Sequence, residues 1–211
     1  MGQFIQNDLH DLYINMAISQ FNMAQNAYIE LMSQENTTPN DKTYKLLTLI
    51  KTNAIGSICF SAMSLESYIN TLALVNISSA FAETIDRLDV IGKWIVVVKI
   101  GTGVELSKGA KPLQRISKNI RLRNGYIHNK TSALKQDSNG DFLVRNINPL
   151  EEYILPAYES LLAIKDSSEW LNKNWPDCKF PLGMEDIEKQ INTQFKTVPN
   201  IWQFQDPLVL F

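Results

Sequence analysis

The sequence predicts an all-α fold, an up-and-down helical bundle with a small β-hairpin before the last long helix. Three observations predict it. Apolar residues recur at three- and four-residue intervals through most of the chain, the stretch 52–82 is almost free of charge, and turn-forming residues interrupt the pattern at only a few places.

The first helix is expected from about Asp8 to Ser33, where Leu9, Leu12, Tyr13, Met16, Phe21, Ala24, Ala27, Tyr28 and Leu31 fall at helical spacing. Asn36-Thr37-Thr38-Pro39-Asn40 ends it. A second helix starts near Asp41 or Thr43, residues suited to capping, and runs to about Val75 with only the tolerated Gly56 inside. Its length and apolar character make it the central core helix. A shorter helix is expected from Phe81 to about Ile100, followed by the loop 101–109 with three glycines. Another covers roughly Lys111 to Thr131. The turn signal Asp137-Ser138-Asn139-Gly140-Asp141, followed by Phe142-Leu143-Val144, places the hairpin. The last helix runs from Pro149 to Trp175, with Pro156 kinking its first turns. Residues 1–175 are read as the helical domain. Residues 176–211, richer in proline and ending in an apolar segment from Ile201 to Phe211, are read as a C-terminal extension that docks on the body or on a partner.

At 211 residues, the chain is long enough to bury a sizeable core. A net charge of −2 provides no global attraction to nucleic acid, so polyanion binding requires a local basic cluster. Cys59 and Cys178 are the only cysteines, too few for a disulfide framework or a zinc knuckle, and Cys59 is expected as a reduced, buried thiol. No His/Cys/Asp/Glu cluster has ligand spacing, and neither a Walker-type loop nor a Gly-x-Ser-x-Gly elbow occurs. No metal and no cofactor are expected. The amino terminus carries no targeting signal, and the apolar stretches are too polar or too short to span a bilayer, so the expectation is a cytoplasmic protein without membrane contact.

Glu66 is the only charged residue from 52 to 82. A carboxylate on so apolar a helix is costly to bury unless it is paired or hydrogen-bonded, so Glu66 is expected to orient a cation. Asn70, one turn on, shares its face and is read as a supporting residue. The alternative is that Glu66 reaches solvent along a polar stripe with Ser67 and Asn70.

From Ser107 to Gln136 there are eight cations and no acid: Lys108, Lys111, Arg115, Lys118, Arg121, Arg123, Lys130 and Lys135. Lys111, Arg115 and Lys118 share one helical face, and with Arg121 and Lys130 they are read as contacts for a phosphate backbone. The competing reading is a helix face that answers acidic surface elsewhere in the protein. The run leads into Arg123-Asn124-Gly125-Tyr126-Ile127-His128. On a helix Asn124 and His128 point the same way with Arg123 beside them, so guanidinium, amide and imidazole can address one phosphate.

At these residues the chain resembles the HEPN superfamily, whose signature is an Arg followed after four to six residues by His, commonly with a polar residue directly after the Arg. Arg123, Asn124 and His128 match that pattern, and Ser64-Leu65-Glu66-Ser67-Tyr68-Ile69-Asn70 is similar to the Glu-containing core helix of many members. The resemblance spans about Asp8 to Trp175. It implies a helical homodimer with the two Arg…His segments facing each other, and a metal-independent ribonuclease in a toxin, phage-defence or RNA-processing setting, with an antitoxin or effector as a further partner. Other members only bind RNA, a nucleotide or a protein, and that is the alternative function. One subgroup has a Tyr two positions after the His, where this chain has Lys130. Control through that tyrosine is not expected. The implied catalytic residues are Arg123, Asn124 and His128, supported by Glu66.

Overall fold

The computed structural model describes residues 9–34, 41–128 and 148–175. Over these residues the chain is an all-α bundle without strands: α1 (Leu9–Met32), α2 (Asp41–Asn76), α3 (Ser79–Asp86), α4 (Val90–Thr102), α5 (Lys111–Ile127) and α6 (Leu155–Asn174). The hairpin expected at 137–144 and the C-terminal extension 176–211 lie outside the described residues.

α1 and α2 pack most extensively. They are antiparallel, since Gln34 beyond the end of α1 accepts a hydrogen bond from Thr43 at the start of α2 (3.3 Å), while His10 at the other end meets the Tyr68 ring edge-on, with centroids 5.1 Å apart. Small residues bring the helices close: Ala17 and Ala24 on α1, Ala54 and Ala62 on α2, and Ala157 and Ala163 on α6 are fully buried. Larger side chains, Phe21, Ile50, Ile58, Leu65, Ile69, Leu161 and Ile164, fill the space between them. By length and composition α2 is apolar enough to cross a membrane. In this fold α2 packs against α1, α4, α5 and α6, and Ile50, Ala54, Ile58, Leu65 and Ile69 are buried, while Leu49, Leu74 and Val75 stay exposed.

Two expected elements are corrected. The helix expected from Phe81 to Ile100 is two helices. The chain turns at Arg87-Leu88-Asp89, where the Leu88 N–H donates to the Ile85 carbonyl (2.9 Å) and the Asp89 carboxylate accepts from the Gly92 N–H (2.6 Å), a side-chain cap that starts α4 afresh. α4 closes at Gly103, the one described glycine with positive φ (71°), a left-handed cap that glycine adopts without steric cost.

The last helix does not simply kink. It opens with a π turn, Leu150–Ile154, in which the Leu155 N–H bonds back to the Leu150 carbonyl. Pro156 has no N–H to return to the Glu152 carbonyl four residues earlier, which favours the wider turn. The Tyr126 hydroxyl donates to that carbonyl instead (3.0 Å), fastening the end of α5 to the start of the last helical segment.

Candidate functional site

α5 begins with Lys111 and Pro112, whose missing N–H falls where a helix has no internal partner for it. The helix ends at Ile127 rather than Thr131. His128 is its C-cap, with φ −103° and ψ 23°, and its N–H donates to the Asn124 carbonyl (2.9 Å). The i to i+4 relation of Asn124 and His128 therefore holds to the last turn.

The inner face of α5 sets the site against α2. The Arg123 guanidinium donates through Nη2 to Oε2 of Glu66 at 3.1 Å and through Nη1 to Oδ1 of Asn124 at 3.1 Å. The Glu66 side chain is 36% exposed and that of Arg123 24%, so this is a pair at the edge of the core, reachable from solvent. Glu66 thus both meets a cation and reaches the surface. Asn70 is engaged elsewhere: its Oδ1 accepts from Lys93 of α4 (3.0 Å), which also pairs with Asp86 at 2.6 Å.

Lys93 was not singled out by sequence, although the signal was there. It is the only charge in Val90–Val98, the same isolation that marks Glu66. Buried to 5% exposure, it joins α2, α3 and α4. Its hydrogen bond and charge hold the Asp86 carboxyl below the usual aspartate range.

The face carrying Lys111, Arg115 and Lys118 meets acids. Lys111 and Arg115 lie 3.7 and 3.2 Å from Oδ2 of Asp166 on α6, and Lys118 pairs with Glu159 two turns closer to the amino terminus of that helix. Arg115 is only 8% exposed and its partner 10%. These three charges are matched within the fold, as the reading of a helix answering acidic surface anticipates, and Arg115 is buried as a core ion pair rather than displayed to a phosphate backbone. Lys130 lies outside the described residues.

Arg121 differs from the other α5 cations. It is exposed and has no acid partner among the described residues. Arg121, Asn124, Gly125 and His128 stand at i, i+3, i+4 and i+7, and all four are exposed, so they form one solvent-facing ridge. Beside it an open groove of about 520 Å³ is lined by Lys118, Arg121, Leu122, Gly125 and Tyr126.

Other candidate chemistry is absent or muted among the described residues. His10 is buried at 2% exposure against Tyr68 and Asp11. Burial raises the Cys59 thiol above its ordinary value, an effect that the nearby positive charge of Arg123 only partly opposes, so it is no activated nucleophile. No three His, Cys, Asp or Glu side chains gather where they could hold a metal ion. Comparison with family models, with curated proteins and with solved structures finds no match to this chain.

Proposed function

We propose that the protein is a metal-independent endoribonuclease of the HEPN type, acting in the cytoplasm as a homodimer in a toxin, phage-defence or stress setting. The observation that carries this reading is the Glu66–Arg123–Asn124 chain: a carboxylate on the core helix fixes a guanidinium and an amide at the exposed end of the helix that also bears His128.

RNA supplies its own nucleophile. His128 of one protomer takes the proton of the 2′-hydroxyl, whose oxygen attacks the adjacent phosphorus in line. The bond to the 5′-oxygen breaks, and that oxygen receives a proton from the second protomer's imidazolium, leaving a 2′,3′-cyclic phosphate. Arg123 and Asn124 hold the non-bridging oxygens as negative charge builds on them, and Glu66 keeps Arg123 oriented. The dimer gives a chain with one exposed histidine both an acid and a base.

The test is incubation with RNA in EDTA, comparing the wild type with His128→Ala and Arg123→Ala. Cleavage with cyclic phosphate ends that both substitutions lower by about 100-fold or more supports the reading. No cleavage, or cleavage unchanged in both variants, overturns it. Salt-dependent RNA binding without cleavage identifies a binding module instead.

A further inference from the structure

Gly125 is a glycine without a structural reason. It lies inside α5, where glycine is destabilising relative to alanine. It does not cap the helix, since Gly103 is the one described glycine with positive φ. Nor does it make room for a neighbouring element, because a Cβ built at this position meets nothing within 4 Å. Gly101 shows the contrast: a Cβ there overlaps the Trp175 ring. What remains is close approach by something from outside.

The surroundings of Gly125 specify what that is. On one side stands Arg121, exposed and without an acid partner among the described residues. On the other is Tyr126, half-buried, its hydroxyl committed to the Glu152 carbonyl. That bond orients the ring and takes up its polar tip, and the side chain lines the groove. Burial, with Tyr153 and Glu152 nearby, holds the phenol above its ordinary pKa and therefore neutral. The groove that these residues line, about 520 Å³, falls within the range of small-ligand clefts, roughly 300–1,000 Å³.

We infer that the groove over Gly125 is a nucleotide subsite for single-stranded RNA, in which a base lies against the Tyr126 ring across the bare helix backbone and its phosphate meets Arg121. This rests on the ribonuclease reading and extends it, because His128 stands one turn beyond on the same ridge and the subsite would hold a nucleotide flanking the cut. The subsite selects unpaired RNA, since stacking needs a base free of a duplex, and it tolerates any base because each has a π-face.

The experiment uses the full chain carrying His128→Ala, so that RNA stays intact, and measures binding of a labelled uridine hexanucleotide by fluorescence anisotropy. Gly125→Leu puts a side chain into the groove at a position where a Cβ meets no neighbouring atom within 4 Å. It is expected to raise the thermal midpoint by its better helix propensity while weakening binding about tenfold, the order of one lost stacking contact. Arg121→Gln, on the surface, is expected to weaken binding severalfold and to reduce its salt dependence by about one phosphate contact. Tyr126→Phe keeps the ring and binds within about twofold of the parent, whereas Tyr126→Leu loses about tenfold. Replacing single uridines by abasic sites weakens binding to the parent at one position, and that penalty disappears in Tyr126→Leu.

If the parent binds RNA and Gly125→Leu and Arg121→Gln bind equally well, the subsite is wrong while the ribonuclease reading stands. If the parent does not bind the hexanucleotide, the subsite is also wrong, and cleavage in EDTA then decides the ribonuclease reading by itself. If binding depends on these residues as described but the wild type cuts nothing, the subsite holds as a binding site and the cleavage reading falls.

Discussion

Arg123 on α5 and Glu66 on α2, fifty-seven residues apart in sequence, meet at 3.1 Å, and the other arm of the same guanidinium meets Asn124. Because both members of the pair are partly exposed, solvent screens their attraction, and its removal costs the fold no more than about 1 kcal/mol. Its importance is geometric. Glu66→Gln is expected to leave urea unfolding nearly unchanged while lowering RNA cleavage by up to about 100-fold through misplacement of Arg123. Arg123→Ala removes the charge itself and costs about 10²–10³-fold. Parallel loss of stability and activity in Glu66→Gln would mean that the pair serves the fold alone.

Asp166 and Arg115 present the opposite balance. Both are about nine-tenths buried, so truncating one takes a close counter-charge away from the other in the core. Asp166→Ala is expected to destabilise the protein by about 3–5 kcal/mol in urea unfolding. The double variant Arg115→Met with Asp166→Leu is expected to recover most of that loss, since the two buried charges are removed together and Lys111, the other cation beside Asp166, is half-exposed to water.

Gly101 is expected to tolerate no side chain. A Cβ there occupies the space of the Trp175 ring, which packs between the end of α4 and the end of α6. Gly101→Ala is expected to cost about 1–3 kcal/mol by overpacking, against the gain of about 1 kcal/mol that the same change makes at an open helical position. A rise in thermal midpoint would show that the ring moves aside freely.

The Asp86–Lys93 clamp gives the bundle a pH dependence of known sign. The folded protein binds the Asp86 proton less readily than the unfolded chain, because Lys93 donates to the carboxylate and attracts it. The clamp's contribution is therefore complete above the ordinary aspartate range, roughly pH 4, and is lost as pH falls through the lower value of the folded state. The thermal midpoints of the wild type and Asp86→Asn are expected to differ at about pH 6 and to converge once the pH falls below the lowered range of the folded-state Asp86 carboxyl.

The all-α class and the extent of α1, α2 and the last helix were legible in the sequence because an apolar stripe with helical period dictates a buried face whatever covers it. The break at Arg87-Leu88-Asp89 was less visible. Apolar periodicity continues across it, and only the fold shows that the Asp89 side chain caps a new helix. The π turn before Pro156 was legible as a disturbance but not as a geometry. Proline states which hydrogen bond is missing, whereas Tyr126 from another helix supplies a donor for the carbonyl left over.

By itself, the sequence determined which charges needed an explanation. Glu66 stood out because a lone carboxylate in an apolar helix must find a cation, and the burial cost that makes this so is independent of the fold. The tertiary structure alone decided how the cations were shared. Lys111, Arg115 and Lys118 look, along the chain, like a stripe for a polyanion, but helix packing sets Asp166 and Glu159 against them, and short-range attraction within the fold matches those charges. Asn70 goes to Lys93 for the same reason. What is left to face solvent, Arg121 beside Gly125 and His128 on one ridge, is a remainder that no local pattern reveals, because a charge is available to a ligand only after the fold has taken its own share.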